Sequence, residues 1–396
     1  LKREFQKLLI CAGEHSGDLI AAELVLAFKQ THPDLQVAGV VGDAMRKAGV
    51  SEFIGIESLS TMGFSEVVKR IGEFRILEAR LLEQIDRFQP QVAVLVDFPG
   101  FHIRLAEQLK LRGIKVIQYV APKLWAWGEK RIGSLRDNFD MILGILPFEE
   151  NFFVSRGVNY KYIGSPHVDR VNRVSIRKED LGFSSSAKVC SLLPGSRTSE
   201  LEYILPLLID IKKRLNEKFS DLKFVMPLAP NMQPSALRSV CEDIGIGSQL
   251  ALSPADKNAR IGSLAGIQIY QGMSLELMGI SDAAVIASGT ATLESALIGL
   301  PTTVVYRMSA GSFDFAQNVV KCKYVALVNL ILGKEAVPEF LQNVDAGHVA
   351  EVMQDLLSGG PAQQAQEKCF AELRETLKGD ASRRAAAEIV RFLADA

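Results

Sequence analysis

The sequence is short of the features that usually announce a chemistry. Its five cysteines are scattered and odd in number. No Cys-x-x-Cys or Cys/His spacing suggests zinc, and Cys11 and Cys190 sit inside apolar runs as core thiols of a reducing compartment. No run approaches the ~18 uninterrupted apolar residues of a spanning helix. The apolar segment at 7–12 is too short for a signal peptide before Glu14 and Asp18 interrupt it. The chain is therefore expected to be soluble, or to touch a membrane from one side only. There is no GxxxxGK[ST] loop and no usable GxGxxG, which argues against an ATPase of that type. Asp-x-Asp is also missing, so neither a metal nor another cofactor is expected at a diphosphate site. A net charge of −1 offers nothing to a nucleic acid held by bulk charge.

The 396 residues, 48% hydrophobic and 23% charged, suffice for two domains of ordinary size. Short apolar runs alternate with amphipathic helical patterns throughout. Strands are predicted at 8–12, 37–41, 92–96, 116–120, 141–146 and 160–163 in a first half. In a second half they fall at 189–193, 223–227, 267–270, 283–287 and 302–306. Helices at 17–30, 101–111, 201–218 and 290–298 lie between them. This alternation implies an α/β protein with parallel, doubly wound sheets covered on both faces. The predicted domains are 1–168 and 187–344, joined by a polar linker ending in Ser184-Ser185-Ser186. A helical tail, 345–396, follows and is expected to pack back on the first domain or on a partner subunit. Two such domains facing each other would form a cleft at the carboxyl ends of their strands, where open α/β sheets bind ligands.

Several motifs fall at those strand ends. Ser288-Gly289-Thr290 opens a helix after the 283–287 run, and Glu294 lies about one turn further in. One reading is an ordinary capped helix with a solvated carboxylate. The other seats a phosphate on the free N–H groups and a ribose diol on Glu294. Pro194-Gly195-Ser196-Arg197 is a turn with a surface arginine, or a second phosphate loop. Together the two loops suit a nucleotide diphosphate, with Arg197 taking leaving-group charge.

In the first half Asp97 follows a buried strand and precedes Pro99-Gly100. It is either a helix cap or a general base. Glu14, His15 and Asp18 crowd the turn after 8–12; Asp18 is read as a cap, and Glu14 as a second catalytic carboxylate. His102 and His167 are read as structural. Trp125 and Trp127 are either core aromatics or walls of an acceptor pocket. From Met62 onward, Phe64, Val68 and Ile71 begin a helically spaced apolar face decorated with Lys69, Arg70, Arg75 and Arg80. That face is either buried or a surface that leans on a bilayer and admits an acyl chain.

The order and spacing of these motifs resemble the lipid-A-disaccharide synthase family over nearly the full length. The resemblance rests on the Ala12–Asp18 turn, Asp97-Phe98-Pro99, Trp125-Ala126-Trp127, Leu146-Pro147-Phe148-Glu149 and Leu193–Arg197. It continues through Ser288–Glu294, Tyr306-Arg307-Met308 and Val328-Asn329-Leu330. It implies a GT-B fold of two facing Rossmann-like domains. It also implies the inverting condensation of UDP-2,3-diacylglucosamine with 2,3-diacylglucosamine 1-phosphate to the β-1,6-linked lipid A disaccharide, with release of UDP.

On that resemblance Asp97 activates the acceptor 6-hydroxyl, Arg197 steadies the diphosphate and Glu294 the ribose. Asn329 joins the UDP site. Peripheral association with the cytoplasmic face of the inner membrane and a homodimer exchanging C-terminal segments are implied as well. The chain departs from the family at Gly164-Ser165-Pro166, where Gly-His-Pro is usual and His167 is displaced. Segment 253–266 reads as a variable loop. Two other readings keep the fold: a UDP-GlcNAc 2-epimerase or glycosyltransferase with a soluble acceptor, and a non-catalytic UDP-sugar sensor.

Overall fold

A computed structural model describes residues 5–60, 71–320 and 322–395, with the side chains of 59, 60, 71–75 and 318 outside the description. The chain divides into two compact units, Leu1–Pro166 with Lys378–Ala396, and His167–Leu377.

The first unit is built on seven parallel strands: β1 (Lys7–Ala12), β2 (Gln36–Val41), β3 (Ser51–Gly55), β4 (Val92–Val96), β5 (Lys115–Tyr119), β6 (Met141–Gly144) and β7 (Tyr160–Tyr162). Their order is β3-β2-β1-β4-β5-β6-β7. The central strand β4 reads Val-Ala-Val-Leu-Val and is buried throughout. A parallel sheet covered on both faces needs such an unbroken apolar run rather than an alternating one.

The second unit contains β8 (Val189–Leu193), β9 (Lys223–Leu228), β10 (Leu250–Leu252), β11 (Arg260–Leu264), β12 (Ile267–Gln271), β13 (Ala283–Ala287), β14 (Thr302–Tyr306) and β15 (Glu339–Leu341). Their order is β10-β11-β12-β9-β8-β13-β14-β15, with antiparallel pairing only at β10–β11 and β11–β12. Residues 253–266 are thus not a plain loop: Arg260–Leu264 is a strand that returns against β12.

Two boundaries differ from the sequence expectation. Segment 169–186 is no free linker, because Leu181 and Phe183 pack with Val189, Val225, Tyr270, Leu277 and Ile280 in the second unit's core. The residues after 344 do not travel together either. Helix Ala346–Leu357 packs on helix Thr198–Lys218, and Pro361–Thr376 on Ala291–Ile298, all within the second unit. Only Ala381–Asp395 belongs to the first, where it lies against helix His15–Thr31. On the first unit's side, the two chain crossings are tied together by Ser165 N–H, which donates to the Lys378 carbonyl at 2.8 Å.

Candidate active site

Each sheet has one point at which successive strands depart toward opposite edges, and the loops there flank a crevice at the carboxyl ends of the strands. In the first unit that point lies between β1 and β4. The loops beyond them carry Gly13–Asp18 and Asp97–Pro99.

The turn at Asp97 is strained. Asp97 (φ 54°) and Phe98 (φ 48°) are consecutive left-handed residues, neither of them glycine. Each such residue costs on the order of 1–2 kcal/mol, so surrounding bonds must enforce the conformation. The Asp97 N–H donates to the Tyr119 carbonyl at 2.9 Å. Its carbonyl oxygen accepts from His102 Nδ1 at 2.6 Å and from Gln118 Nε2 at 3.0 Å. Gln118 Nε2 also donates to the Val120 carbonyl at 3.1 Å. Val120 is left-handed too (φ 69°), a rare state for a β-branched residue.

Both clamping side chains are buried. Burial pushes the His102 imidazole down to about 4, against a weaker opposing hydrogen bond to the Asp97 backbone. The ring is therefore neutral and, because a carbonyl only accepts, carries its proton on Nδ1. The cap position of helix Pro99–Leu111 belongs to Phe98, so Asp97 is not that helix's cap. Asp97 itself is half-buried.

Glu14 is exposed at the cap of helix His15–Thr31 and does not cap it with its side chain. Asp18 is buried and does cap, but another helix. Its carboxylate accepts from the N–H groups of Gly42 (2.9 Å), Ala44 (2.8 Å) and Met45 (3.1 Å) at the start of Asp43–Lys47.

The two tryptophans lie on the loop after β5 and are not core residues. Trp127 is exposed, with the Arg131 guanidinium 5.6 Å from its ring centroid. Trp125 is half-buried and tethered: its Nε1 donates to Glu149 Oε1 at 2.9 Å, and Tyr160 Oη donates to Glu149 Oε2 at 2.9 Å. Burial pushes the Glu149 carboxyl up to about 7, while the bonds from Trp125 and Tyr160 and the nearby Lys123 charge pull the other way. Met62, Phe64 and Val68 lie outside the described residues. Ile71 opens helix Ile71–Phe88, its side chain undescribed.

In the second unit the departure point lies between β8 and β13. After β8, Gly195 is left-handed (φ 105°) and the exposed Arg197 precedes helix Thr198–Lys218. The free N–H groups expected there are engaged. Glu200 Oε2 accepts from Ser196 N–H at 2.8 Å and Arg197 N–H at 3.2 Å, and its other oxygen lies 3.5 Å from the Arg197 guanidinium. After β13, Gly289 and Thr290 are exposed, and a Cβ added to Gly289 would meet nothing within 4 Å. That backbone is open to a ligand. Ser288 Oγ donates to the Val325 carbonyl at 3.2 Å.

Glu294 is not the solvated carboxylate of the simpler reading. It is buried, and its Oε1 lies 3.1 Å from His167 Nδ1 and 3.0 Å from an Arg170 guanidinium nitrogen. Burial alone raises such a carboxyl; the His167 hydrogen bond and the pull of His167 and Arg170 outweigh it and hold Glu294 below the usual range.

Asn329 has no open face for a ligand. It is fully buried, and its Oδ1 accepts from Ala336 N–H (2.7 Å) and Val337 N–H (2.9 Å). Its Nδ2 donates to the Val337 carbonyl and to Glu339 Oε1, both at 2.8 Å. Glu339 in turn accepts from the N–H groups of Val325 and Ala326. Asn329 thus acts on the Ser288 loop at second hand, by fixing the segment that Ser288 touches.

Gln118, Arg170, Glu200 and Glu339 are not among the sequence candidates, and Glu149 enters there only within the Leu146–Glu149 motif. Gln118 had a signal, a lone amide within the apolar strand Lys-Val-Ile-Gln-Tyr. Among the described residues no group of three or more His, Cys, Asp or Glu is placed to hold a metal ion.

The family model described as lipid-A-disaccharide synthetase matches residues 8–392. The lipid-A-disaccharide synthase of Myxococcus xanthus (strain DK1622) is 36% identical over 392 residues, spanning 98% of this chain and 97% of the relative. Lipid-A-disaccharide synthase 2 of Legionella pneumophila (strain Paris) is 32% identical over 401 residues, spanning 100% and 99%. Among solved structures, the UDP-GlcNAc 2-epimerase of Neisseria meningitidis bound to UDP-GlcNAc superposes with a TM-score of 0.64 at 13% identity, covering 99% of this chain and 100% of that one. The kitacinnamycin glycotransferase gives 0.62 at 13%, covering 98% and 99%. At such identities these two report the fold alone, the GT-B class of paired Rossmann-like units. The near-full-length match to the family model and to its curated relatives goes further: the chain belongs to the lipid-A-disaccharide synthetase family.

Proposed function

We propose that this glycosyltransferase moves a 2,3-diacylglucosamine unit from UDP to the 6-hydroxyl of 2,3-diacylglucosamine 1-phosphate. The products are lipid A disaccharide 1-phosphate and UDP. Beyond family membership, the observation that carries the residue assignments is the strained Asp97 turn at the first unit's departure point. Strain of that kind persists where the position of a side chain matters.

The Asp97 carboxylate accepts the proton of the acceptor hydroxyl as its oxygen forms a bond to the donor's anomeric carbon. The bond from that carbon to the diphosphate oxygen breaks on the opposite face, so configuration inverts. UDP departs with the electron pair. Arg197 and the N–H groups of Gly289 and Thr290 receive its charge, beside Gly195, Ser196 and Ser288. Glu294 receives the ribose diol, and Asn329 supports the loop. Exposed Glu14, on the loop after β1, is the second catalytic carboxylate, and Trp125 and Trp127 wall the acceptor pocket.

No described helix is long and apolar enough to cross a membrane. Contact with the inner membrane's cytoplasmic face through Met62, Phe64, Val68 and Ile71 is part of this reading, and sedimentation with anionic vesicles tests it. In an exchanged homodimer the partner's 381–395 helix would take the place on His15–Thr31; size and cross-linking measurements test that.

The deciding experiment is incubation with both lipid substrates, with mass detection of UDP and the disaccharide. Asp97→Ala should abolish product while UDP still binds, and a chelator should leave turnover intact. Turnover retained by Asp97→Ala would remove Asp97 as the base. Epimerised UDP-GlcNAc in place of disaccharide would favour the soluble-substrate reading.

A further inference from the structure

We infer that His102 and Gln118 are positioning residues of the transfer reaction, acting through the main chain of Asp97 rather than on a substrate. This rests on the reading of Asp97 as the base. The Asp97 carbonyl oxygen receives two side-chain donors, His102 Nδ1 at 2.6 Å and Gln118 Nε2 at 3.0 Å. Both donors are buried, at 0% and 1% exposure, so neither can meet a sugar directly. What they hold is a pair of left-handed residues that would relax to ordinary backbone without them, turning the Asp97 side chain elsewhere.

The two clamps divide the work. Gln118 ties the turn after β4 to the left-handed turn at Val120, because one amide nitrogen serves both carbonyls. His102 approaches from the helix that follows, and its own N–H donates to the Phe98 carbonyl at 3.2 Å. His102 Nε2 is buried without a hydrogen-bond partner among the described residues, its ring lying near those of Phe98 and Phe101. An imidazole poised to shuttle protons would have a route from that nitrogen to a reacting group. This one has a single polar engagement, the Asp97 carbonyl.

The chemistry required of position 102 is therefore one neutral N–H donor at the site of Nδ1. An asparagine amide supplies it from a similar place, whereas leucine fills the space and supplies nothing. A displacement of the base by about 1 Å lowers turnover by about 100-fold.

The experiment compares His102→Leu, His102→Asn, Gln118→Met and Asp97→Ala, alone and as the pair Asp97→Ala with His102→Leu. Each is assayed with both lipid substrates well below its melting temperature. His102→Leu and Gln118→Met should each lose about 100-fold in kcat with little change in donor KM. His102→Asn should restore most of the loss and keep the wild-type pH profile. In the Asp97→Ala background His102→Leu should leave UDP affinity at the single variant's value, since its effect passes through Asp97. Full turnover in folded His102→Leu overturns the inference, as does a limb of the pH profile missing from His102→Asn, which would make His102 a proton carrier. Turnover retained by Asp97→Ala instead brings down the reading of the base, whatever the clamp variants do.

Discussion

The ring of Phe98 comes within 2.2 Å of where a Cβ on Gly13 would stand, so the loops after β1 and β4 close on each other only with glycine at 13. Gly13→Ala should therefore act on the Asp97 turn from outside it. Overpacking of this kind costs about 1–3 kcal/mol. Denaturation curves should show that loss, kcat should fall as Phe98 is displaced, and UDP affinity should stay level. Unchanged kcat would mean that the ring turns aside without moving Asp97.

Trp125 should report the ionisation of Glu149. The chain has only two tryptophans, and the carboxyl bonded to Trp125 Nε1 titrates at about 7, with Lys123 nearby as the opposing charge. Tryptophan emission should shift with a midpoint near pH 7 in the native protein and lose that midpoint in Glu149→Gln. A midpoint that survives the substitution would assign it to another group.

Two of the first unit's displaced ionisations, those of His102 and Glu149, have opposite sign. His102 falls from 6.5 to about 4, so between those values the unfolded chain binds a proton the native one refuses, and acidification destabilises. Glu149 rises from 4.5 to about 7, so across that range the native chain binds the proton first, and acidification stabilises. Each is worth about 3 kcal/mol over its window, and they nearly cancel between pH 6.5 and 4.5. Glu149→Gln should then lose stability toward low pH, and His102→Asn should gain it. Denaturant midpoints measured at several pH values check this; parallel profiles for the three proteins would refute it.

Asn329→Ala removes the Asn329 end of four buried hydrogen bonds and strands their partners. Stranded groups of this kind cost about 1–3 kcal/mol each before relaxation. Equilibrium denaturation should show a loss of several kcal/mol on that scale. UDP binding, followed by calorimetry, should weaken through the Ser288 loop. A stable variant with weak UDP binding would instead make Asn329 a direct ligand.

Glu200 occupies the N–H groups that a diphosphate would use. Glu200→Ala should tighten UDP binding while costing the helix about 1 kcal/mol of capping, a combination that calorimetry and thermal melting separate. Weaker UDP binding would make Glu200 a support of the loop rather than its competitor.

The central strands of both sheets were legible because a parallel strand buried on both faces is a continuous apolar run. The edges were not. β3 (Ser-Glu-Phe-Ile-Gly) and β15 are half-exposed and short, and the antiparallel strand β11 carries Arg260, Gly262 and Ser263, which read as loop. At the sites, the sequence placed Asp97, Arg197 and Ser288–Thr290 at strand ends, because turn chemistry is local. It could not show that Glu294 pairs with His167 and Arg170, or that Glu149 reaches Trp125. Those partners are distant in sequence, and a lone carboxylate inside a helical pattern looks the same whether it faces water or an arginine.

The division of the residues after 344 between the units has a consequence for how the polypeptide is made. His167–Leu377 is continuous, so the second unit can complete itself as it leaves the ribosome. The first unit begins to emerge earlier but lacks the helix that covers His15–Thr31 until Ala381–Asp395 has been synthesised. Order of synthesis and order of completion are therefore reversed. During that interval the apolar positions of His15–Thr31 that await Ala381–Asp395 are open to chaperones and to the same segment of another nascent chain.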